Sequence, residues 1–566
     1  LNVLTKEKEF RMTEDALPLP LQVRWLGKVR YRDALAVQES LFEARPENYL
    51  LLMEHFPVFT LGVNGDESNI LVEPSEIGAE VIRIKRGGDV TYHGPGQLVG
   101  YPILTVPGKR GGGMADTSAY VNSVEQLIID ALEELGLPNC GRIAKYPGVW
   151  VDPNGNSPRK VAAIGVRLSR GRSMHGFAIN VKPDMSYFDA IVPCGIKEME
   201  VTSIHEEGLS LNLKEVTDVI SKLAAARWSQ GRSDRSDVAW RIRSQDLSPF
   251  TRGEGPGSRK LNVSSANYSP KSTEFPTATK VQLKRKPEWM KVKAEFGPEY
   301  RKIKQTMRTN QLVTVCEEAG CPNIYECWKD GTATFMILGD RCTRACGFCL
   351  IDTQKPFPPD VDEPQRVADA VNSMGLDYAV VTMVARDDLA DGGAQQVANT
   401  VAAIRKKNPS TSIEVLISDL KGDPDDLQKV FASSPDVLNH NVETVPSLQR
   451  TVRPSASYAR SLAVLCHAKQ YGLMTKTSIM LGLGETEEEV HILLKDLSRI
   501  GVDIVTLGQY LSPTSNHLPV ERWWTPEEFQ EFKIHGESLG IPHVESSPLT
   551  RSSYHAKESQ ISVRQS

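Results

Sequence analysis

The chain has 566 residues, more than the roughly 100 to 200 that one hydrophobic core usually supports, so at least two domains are expected. Hydrophobic residues make up 40% and charged residues 24%, an ordinary globular composition that excludes a fibrous or wholly disordered chain. With a formal net charge of -5 and no run of about eighteen apolar residues, neither nucleic-acid binding nor a membrane span is expected.

The first 228 residues alternate apolar stretches with glycine-rich loops. Residues 1–20 have neither the apolar region of a signal peptide nor the Arg-rich, acid-poor composition of a transit peptide, and are predicted to form a flexible N-terminus. Strand patterns follow at 49–53, 81–84 and 160–168, with an amphipathic helix at 117–137. Residues 21–228 are therefore predicted to form a mixed α/β domain.

The composition changes after residue 228. Residues 229–283 are rich in Ser, Gly, Pro and charge, and contain too little apolar surface to offset the entropy of ordering them. A disordered linker is predicted here, with the VAWRIR stretch at 238–243 as an alternative end of the first domain.

Residues 284–556 show a different sequence pattern. Strand patterns such as ATFMIL, YAVVT and SIEVLI alternate with helical patterns such as AQQVANTVAAIRKK. This βα repeat predicts a parallel sheet or barrel, in which the chemistry lies at the carboxyl ends of the strands. Residues 557–566 are predicted to be a C-terminal tail.

Six of the nine cysteines lie between 316 and 349. Cys342, Cys346 and Cys349 form C-x3-C-x2-C directly after a predicted strand, a spacing that lets three thiolates bind one inorganic cluster and leaves one iron open. The alternatives are a structural zinc site, which prefers four ligands in pairs, and disulfides. Two groups of three favour iron–sulfur clusters and a reducing compartment.

The second of these groups, the trio Cys342, Cys346 and Cys349, resembles the cluster motif of the radical S-adenosylmethionine superfamily. In that superfamily S-adenosylmethionine binds the open iron and gives a 5′-deoxyadenosyl radical. With the C-x4-C-x5-C trio and the RSSY sequence, residues from about 286 to 556 closely resemble lipoyl synthase. The resemblance implies a partial (βα)6 TIM-type barrel, two 4Fe-4S clusters, and insertion of sulfur at carbons six and eight of a protein-bound octanoyl chain. It places an auxiliary cluster, the source of that sulfur, on Cys316, Cys321, Cys327 and Ser553, with Ser552 as the alternative.

Other stretches that resemble this family are VTMVARDDLADGGA, LNHNVETVPSLQRTVRPSASY and MLGLGETEEEV. Within them Asn441, Glu443 and Arg453 are predicted cofactor or substrate contacts, and helix caps and surface charges are the alternative. The Gly482/Gly484 pair lacks the GxGxxG fingerprint, so nicotinamide binding is not expected.

The densest glycine loop, RGGDVTYHGPGQLVGYPI, begins at Arg86. Glycines permit close backbone approach to a ligand, although a tight hairpin would have the same composition. Downstream stand KVAAIGVRL with Lys160, HGFAINV with His175, and IVPCGI with Cys194. In this order the motifs closely resemble the octanoyltransferase of lipoate biosynthesis, a relative of the biotin and lipoate protein ligases.

That resemblance makes Cys194 the acyl-accepting nucleophile and Lys160 its base, because a nearby amine can take the thiol proton. No P-loop appears, which favours a thioester-fed transferase over an ATP-dependent ligase. The residues predicted to hold the acyl chain are Arg86, Gly87, Gly88, Asp89, Val90, Thr91, Tyr92, His93, Ala163, Ile164, Gly165, Gly176, Phe177 and Ala178.

Together the two resemblances imply a bifunctional α/β enzyme of lipoate biosynthesis. Its implied partners are octanoyl-acyl carrier protein, lipoyl-domain acceptors (2-oxoacid dehydrogenase E2 subunits and glycine cleavage H protein), an electron donor and an iron–sulfur carrier. The predicted location is a soluble compartment, the mitochondrial matrix in a eukaryote and otherwise a bacterial cytoplasm. The rivals are another radical enzyme with an appended acyl-transfer domain, and a zinc-bound scaffold that only binds carrier proteins.

Overall fold

The computed structural model describes residues 19–109, 115–192, 200–253, 286–290, 297–310, 312–314, 317, 323–324 and 333–565. The chain divides into two compact units, Leu1–Trp240 and Arg241–Ser566. Most of the predicted N-terminal segment, 1–18, and much of the predicted linker, 254–283, lie outside the described residues.

The first unit is a mixed α/β fold, as predicted. Its strands are β1 (Leu21–Val29), β2 (Tyr49–His55), β3 (Val58–Leu61), β4 (Glu80–Arg83), β5 (Val90–His93), β6 (Gln97–Ile103), β7 (Cys140–Ile143), β8 (Tyr146–Val151), β9 (Arg159–Ser169), β10 (Arg172–Asn180), β11 (Glu200–Val201) and β12 (Ser233–Asp237). Its helices are α1 (Tyr31–Glu43), α2 (Thr117–Glu134), α3 (Ser186–Asp189) and α4 (Leu213–Ser229).

Nine of these strands form one sheet in the order β12-β1-β2-β6-β10-β9-β8-β7, with β11 beside β9, and three form a second sheet in the order β4-β3-β5. Strands β2, β6 and β10 are buried along almost their whole length, and α1, α2 and α4 pack onto the large sheet. Strands that are buried along their whole length are typical of sheets covered by helices, and here they include polar residues such as Arg172 and His175 of β10.

The first unit extends beyond the predicted boundary at residue 228. Strand β12 pairs in parallel with β1, from Leu21 opposite Ser233 to Trp25 opposite Asp237, and the ring of Trp240 stacks on Trp25 at 3.9 Å. The prediction that the linker begins at 229 is therefore wrong for 229–240. Its polar sequence, SDRSD, gave no strand pattern, because an edge strand can leave its side chains in solvent.

The second unit is a βα repeat. Its strands are β13 (Val313–Thr314), β14 (Ala333–Ile337), β15 (Tyr378–Met383), β16 (Ser412–Leu416), β17 (Val437–Asn439), β18 (Thr475–Leu481), β19 (Ile504–Gln509) and β20 (His543–Ser546). Its helices are α5 (Pro298–Thr309), α6 (Glu363–Met374), α7 (Ala394–Lys407), α8 (Pro424–Ala432), α9 (Gln449–Val452), α10 (Tyr458–Tyr471), α11 (Glu487–Arg499), α12 (Pro526–Ser538) and α13 (Ala556–Gln565).

The sheet order is sequential from β13 to β20, and all pairs from β14 to β20 are parallel. The βα pairs that begin at β14, β15, β16, β17, β18 and β19 give the predicted (βα)6 arrangement, followed by one further strand. Because side chains alternate along a strand, one set packs against the helices and the other faces inward, for example Thr382 of β15, Leu416 of β16 and Ser478 of β18.

The predicted C-terminal tail is a helix. In α13, Ala556 packs against Tyr378 and Val380, and Lys557 Nζ lies 2.9 Å from Asp377 Oδ2. The prediction of a tail from 557 to 566 is therefore wrong for 557–565, since these residues are helical and Ser559 and Gln560 are buried. Within the described parts of the chain, no helix is long and apolar enough to cross a membrane.

Candidate active sites

The second cysteine trio lies in the loop that follows β14, where the βα repeat predicts the chemistry. Backbone hydrogen bonds tie this loop on both sides: Cys342 N donates to the Asp352 carbonyl at 2.8 Å, and Gly347 N donates to the Val452 carbonyl at 2.9 Å. His517 Nε2 donates to the carbonyl of Cys349 at 2.9 Å. The backbone of the trio is thus held by three different segments of the second unit.

Arg344, between the first two cysteines, adds a side-chain anchor. Its guanidinium lies 2.7 Å from Asp387 after β15 and 2.7 Å from Asp419 after β16. Burial is the largest single influence on the pKa of Asp419 and raises it, but the hydrogen bond to Arg344 and the charges of Arg344 and Arg460 together lower that pKa to about 2. The spacing of the cysteines gave no signal for this residue.

Cys342, Cys346 and Cys349 line one cavity of about 790 Å³. Burial raises the pKa of each thiol, that of Cys346 to about 11, and neighbouring thiols of the trio further raise the pKa values of Cys346 and Cys349. Three crowded, buried thiols are poor places for unpaired negative charge. A cationic iron centre reverses that preference and holds them as thiolates, so the donor set fits a cluster.

Among the described residues, no three His, Cys, Asp or Glu side chains converge closely enough to bind one metal ion. A cubane cluster makes a different demand, because each thiolate binds its own iron atom. Three thiols that line one cavity without meeting at one point are compatible with that demand.

The three predicted cofactor contacts, Asn441, Glu443 and Arg453, all line the same cavity. Arg453 Nη1 donates to the carbonyls of Asn441 and Val442 at 3.0 and 3.1 Å. Burial raises the pKa of Glu443, whose backbone is left-handed at φ 70°. Such strain in a non-glycine residue is typical of functional positions. Arg453 also ends α9, where its backbone N–H donates to the Gln449 carbonyl at 2.8 Å, so the helix-cap alternative holds for its backbone. The side chains of all three residues line the cavity.

The other family-like stretches are divided between the cavity and the scaffold. Thr382–Ala385 and Ser478–Met480 line the cavity. Glu485, in the GLGE turn, instead accepts hydrogen bonds from the amides of Gly482 and Leu483 and from Trp524 Nε1. The role of this turn is structural.

The RSSY segment, 551–554, also lines the cavity. Asn323, two residues after Cys321, lines it too and donates from Nδ2 to the Leu549 carbonyl at 2.6 Å. The predicted ligands Cys316, Cys321 and Cys327 themselves lie outside the described residues. Asn323 is the described residue that connects their segment to the RSSY end of the cavity.

In the first unit, the Arg86–His93 loop is built around the Arg86 side chain. Its guanidinium donates to the Thr60 carbonyl at 2.7 Å and to the Gly87 carbonyl at 2.9 Å. Asp89 accepts hydrogen bonds from the amides of Asp66 and Val90 and the side chain of Asn69. Arg86 and Asp89 thus shape the loop.

The two other predicted acyl-binding segments are hydrogen-bonded neighbours. Ala163, Ile164 and Gly165 on β9 pair with Ala178, Phe177 and Gly176 on β10. A Cβ on Gly165 would lie 2.8 Å from Arg86 Cδ, and one on Gly176 would lie 2.1 Å from the Gly100 carbonyl oxygen. Glycine is required at these positions for close packing between strands and loop.

A buried group of histidines and tyrosines surrounds this loop. The ring of His93 lies 6.0 Å from Tyr31 and 5.8 Å from His55, whose Nε2 is 2.7 Å from the Tyr101 hydroxyl. Burial lowers the pKa of His55 to about 4 and that of His175 to about 3, so both are neutral near pH 7. Tyr31, on α1, and His55 and Tyr101, on β2 and β6, were not predicted as site residues, because single aromatic residues in apolar segments usually belong to the core.

Lys160 is buried on β9, and its Nζ lies 4.8 Å from the centre of the Trp150 ring. Cys194 lies outside the described residues, as does the rest of 193–199. The strand that follows, β11, pairs with β9 so that Val201 is opposite Lys160, and Thr202 N donates to the Lys160 carbonyl at 3.0 Å. The chain therefore returns to Lys160 directly after the undescribed segment.

Three family models match the chain: the lipoyl protein ligase A/B catalytic domain over residues 30–224, the radical SAM superfamily over 336–497, and the N-terminal domain of lipoyl synthase over 247–321. The last begins inside the region predicted as linker, so the second domain starts before the predicted residue 284. By fold and by its cysteine loop, the second unit is a radical SAM domain.

Curated relatives identify the family more closely. Lipoyl synthase of Mycobacterium avium (strain 104) is 57% identical over 274 residues, which cover 48% of this chain and 89% of the relative. That of Mycobacterium ulcerans (strain Agy99) is 56% identical and covered to 85%. The chain belongs to the lipoyl synthase family. With its ligase/transferase-type catalytic domain, it is an enzyme of lipoate biosynthesis.

Solved structures with partial similarity include a bi-partite lipoate protein ligase of Thermoplasma acidophilum, at 15% identity and TM-score 0.31, over 38% of this chain and 87% of that one. A methylornithine synthase is 15% identical at TM-score 0.29, over 45% of this chain and 79% of that one.

Proposed function

We propose that the chain carries out two consecutive steps. The first unit transfers octanoyl from octanoyl-acyl carrier protein, through a thioester on Cys194, to a lysine of a lipoyl-domain protein. The second unit then inserts sulfur at carbons six and eight of the bound octanoyl chain. The observation that carries this proposal is one cavity lined both by the thiols of Cys342, Cys346 and Cys349 and by the RSSY segment.

In the second unit, Cys342, Cys346 and Cys349 would hold a 4Fe-4S cluster, which when reduced supplies the electron that cleaves S-adenosylmethionine. Asn441, Glu443 and Arg453 line the cavity and offer an amide, a carboxylate and a guanidinium to polar groups of that cofactor. The apolar side chains that line the same cavity would take the octanoyl chain, because they exclude water from it.

A second cluster, on Cys316, Cys321, Cys327 and Ser553, would supply the sulfur. The hydrogen bond from Asn323 to Leu549 supports this assignment, since it links the segment of the first trio to the RSSY segment within one cavity. An alkoxide is a harder and more easily released iron ligand than a thiolate, so serine suits a cluster that is taken apart.

In the first unit, Lys160 would take the proton of Cys194 as the thiol attacks the octanoyl thioester. The carrier-protein thiol leaves, and a second transfer passes the acyl group to the acceptor lysine. The paired segments 163–165 and 176–178 would hold the acyl chain beside the Arg86 loop. Because the matched catalytic-domain family includes ligases, ATP-dependent activation of free octanoate is the competing activity.

The proposal is tested with the full chain, purified anaerobically and given octanoyl-acyl carrier protein, an apo acceptor domain, S-adenosylmethionine and a reductant. Mass spectrometry should show the lipoyl acceptor without added ATP, and the protein should contain about eight irons per chain. With the Cys194→Ala variant the acceptor domain should remain unmodified. With the Cys346→Ala variant the acceptor domain should carry octanoyl and no added sulfur.

Cys140→Ala and Cys466→Ala are the matched controls, since Cys140 lies on β7 and Cys466 is a buried residue of α10. Both variants should give the lipoyl product. A colourless, zinc-containing protein would contradict the radical step. A strict need for ATP and free octanoate would replace the transferase with a ligase.

A further inference from the structure

A buried polar network lies on the inner face of the second unit, and no step above uses it. Glu414 of β16 and Lys476 of β18 are fully buried, with Lys476 Nζ 3.1 Å from Glu414 Oε2. The Tyr378 hydroxyl donates to the same oxygen at 2.8 Å. A buried ion pair is weak evidence for stability, because desolvation of both charges offsets their attraction. Its role is better sought in what it orients.

The network extends to the RSSY segment through Asn439 at the end of β17. Asn439 Nδ2 donates to Glu414 Oε1 at 2.8 Å and to Ser552 Oγ at 2.9 Å. The Ser552 hydroxyl in turn donates to Asn441 Oδ1 at 3.2 Å. Asn439 is fully buried, and within the described part of the chain its Oδ1 has no hydrogen-bond partner. The orientation of this amide is therefore set by its two Nδ2 hydrogen bonds.

These contacts distinguish the two neighbouring serines. The Ser552 hydroxyl both accepts and donates a hydrogen bond, and binding iron as an alkoxide would remove its proton and the bond to Asn441. Ser553 lines the cavity, and its hydroxyl makes no hydrogen bond to any other described residue. Ser552 is thus engaged by the protein, and Ser553 is the one available to a ligand.

A second anchor follows Ser553. Ala556 packs against Tyr378 and Val380, and Tyr378 is itself part of the network. Ser553 therefore lies between two fixed points, the Ser552 hydroxyl and the first residue of α13.

We propose that Glu414, Lys476 and Asn439 are positioning residues that fix Ser552 and thereby present Ser553 to the auxiliary cluster. The inference rests on the proposed function, in which Ser553 is an iron ligand. Because the segment is held through Ser552 and Ala556, Ser553 can release iron during sulfur donation while the segment remains in place.

The test measures how fast a chelator removes iron from the full chain after anaerobic reconstitution. The background variant has Cys342, Cys346 and Cys349 replaced by alanine, so that only the auxiliary cluster contributes. Ser553→Ala and Ser552→Ala should both release iron at least tenfold faster than the background. Ser552→Thr keeps the hydroxyl, and Ser559→Ala removes a serine hydroxyl that donates to the His555 carbonyl. Both should release iron at the background rate.

If iron release is accelerated in Ser553→Ala but not in Ser552→Ala, the positioning role is overturned while the proposed function stands. If Ser553→Ala itself is slow, Ser553 is not a ligand, and the inference falls together with that part of the proposed function. Should Ser552→Ala fail to fold, the double variant Glu414→Leu/Lys476→Met replaces both buried charges by apolar groups of similar size. It should release iron at least threefold faster, and an unchanged rate would overturn the proposal.

Discussion

Arg344 lies between two predicted cluster ligands, at a position that the cysteine spacing leaves open. Its carboxylate partners, Asp387 and Asp419, follow two other strands and are 43 and 75 residues away along the chain. The pair with Asp419 is buried, whereas that between Arg366 and Asp360 is partly exposed, with the Asp360 side chain half in solvent. Buried and exposed pairs differ strongly in what their loss costs.

We expect Arg344→Ala to destabilise the second unit by about 3 kcal/mol, because it leaves the Asp419 carboxylate buried without its closest cation. The same change at Arg366 should cost less than about 1 kcal/mol, since that pair is screened by solvent. Hydrogen-exchange protection of the β15 and β16 amides measures both. Equal effects of the two variants would contradict the assigned role of Arg344.

The buried histidines of the first unit predict a loss of stability in acid. The pKa of His175 is about 3 in the folded chain and 6.5 when unperturbed, so between these values only the unfolded state binds the proton. The contribution of His175 to the free energy of unfolding is fully present above about pH 6.5. It decreases by about 1.4 kcal/mol per pH unit as the pH drops below this value.

His175→Asn should remove that contribution. Asparagine does not titrate, and it tolerates the left-handed backbone of this residue, at φ 61°. The pH dependence of hydrogen-exchange protection in β9 and β10 should become shallower between pH 6.5 and 4. His205→Asn, at an exposed position, is the control and should leave the slope unchanged. A slope unaltered by His175→Asn would refute this explanation.

Among the elements, β12 shows how a strand with a polar sequence can complete a domain. It covers the edge of β1 with five paired residues, and Trp240 beyond it stacks on Trp25. The sequence pattern failed here because an edge strand needs backbone pairing more than apolar side chains. The first unit therefore ends at about residue 240.

A fragment of residues 1–240 should be more stable than one of 1–228 by about 3 kcal/mol, because the shorter fragment exposes β1 and Trp25. For a domain of this size the difference corresponds to a Tm roughly 6–12 °C higher. Thermal unfolding followed by circular dichroism measures it. A fragment of 1–253 is the control and should add nothing, so equal Tm values for 1–228 and 1–240 would disprove the new boundary.

Helix α13 makes the same point at the other end of the chain. Its mostly polar sequence predicts a tail, yet Ala556 reaches the inner side of β15, and Arg564 lies 2.9 Å from Asp436. A short helix of this composition depends on the sheet that receives it, because isolated helices of ten residues are marginal in water.

At the scale of the whole molecule, two catalytic units are joined in one chain. The product of the first proposed reaction is attached to a protein and is the substrate of the second. A covalent link keeps the second site at a raised effective concentration near the first. This advantage should be largest when the acceptor is scarce.

We expect the full chain to form the lipoyl acceptor with a shorter lag than an equimolar mixture of residues 1–240 and 241–566. At submicromolar concentrations the difference should be at least threefold, and it should disappear when the acceptor is saturating. A time course followed by mass spectrometry measures the lag. Equal lags at low concentration would show that the fusion gives no kinetic advantage.

Much of the architecture could be predicted from local sequence. The helix at 117–137 and the strands and helices of the βα repeat lie within a few residues of their predicted bounds, because their apolar periodicity is strong and continuous. Elements with polar sequences, β12 and α13, were missed for the opposite reason.

The kinds of chemistry available to the chain can be predicted from local sequence alone. Local spacing along the chain reveals the two cysteine trios and the βα repeat. It also reveals the order of the motifs that contain Arg86, Lys160, His175 and Cys194. Spacing along the chain fixes which ligands can come from one loop.

The distant residues that support this chemistry are identified by the three-dimensional fold. Arg344 with Asp387 and Asp419, and Asn439 with Glu414 and Ser552, are brought together by the parallel packing of strands far apart in sequence. Such contacts depend on the closing of long loops, which no local pattern records.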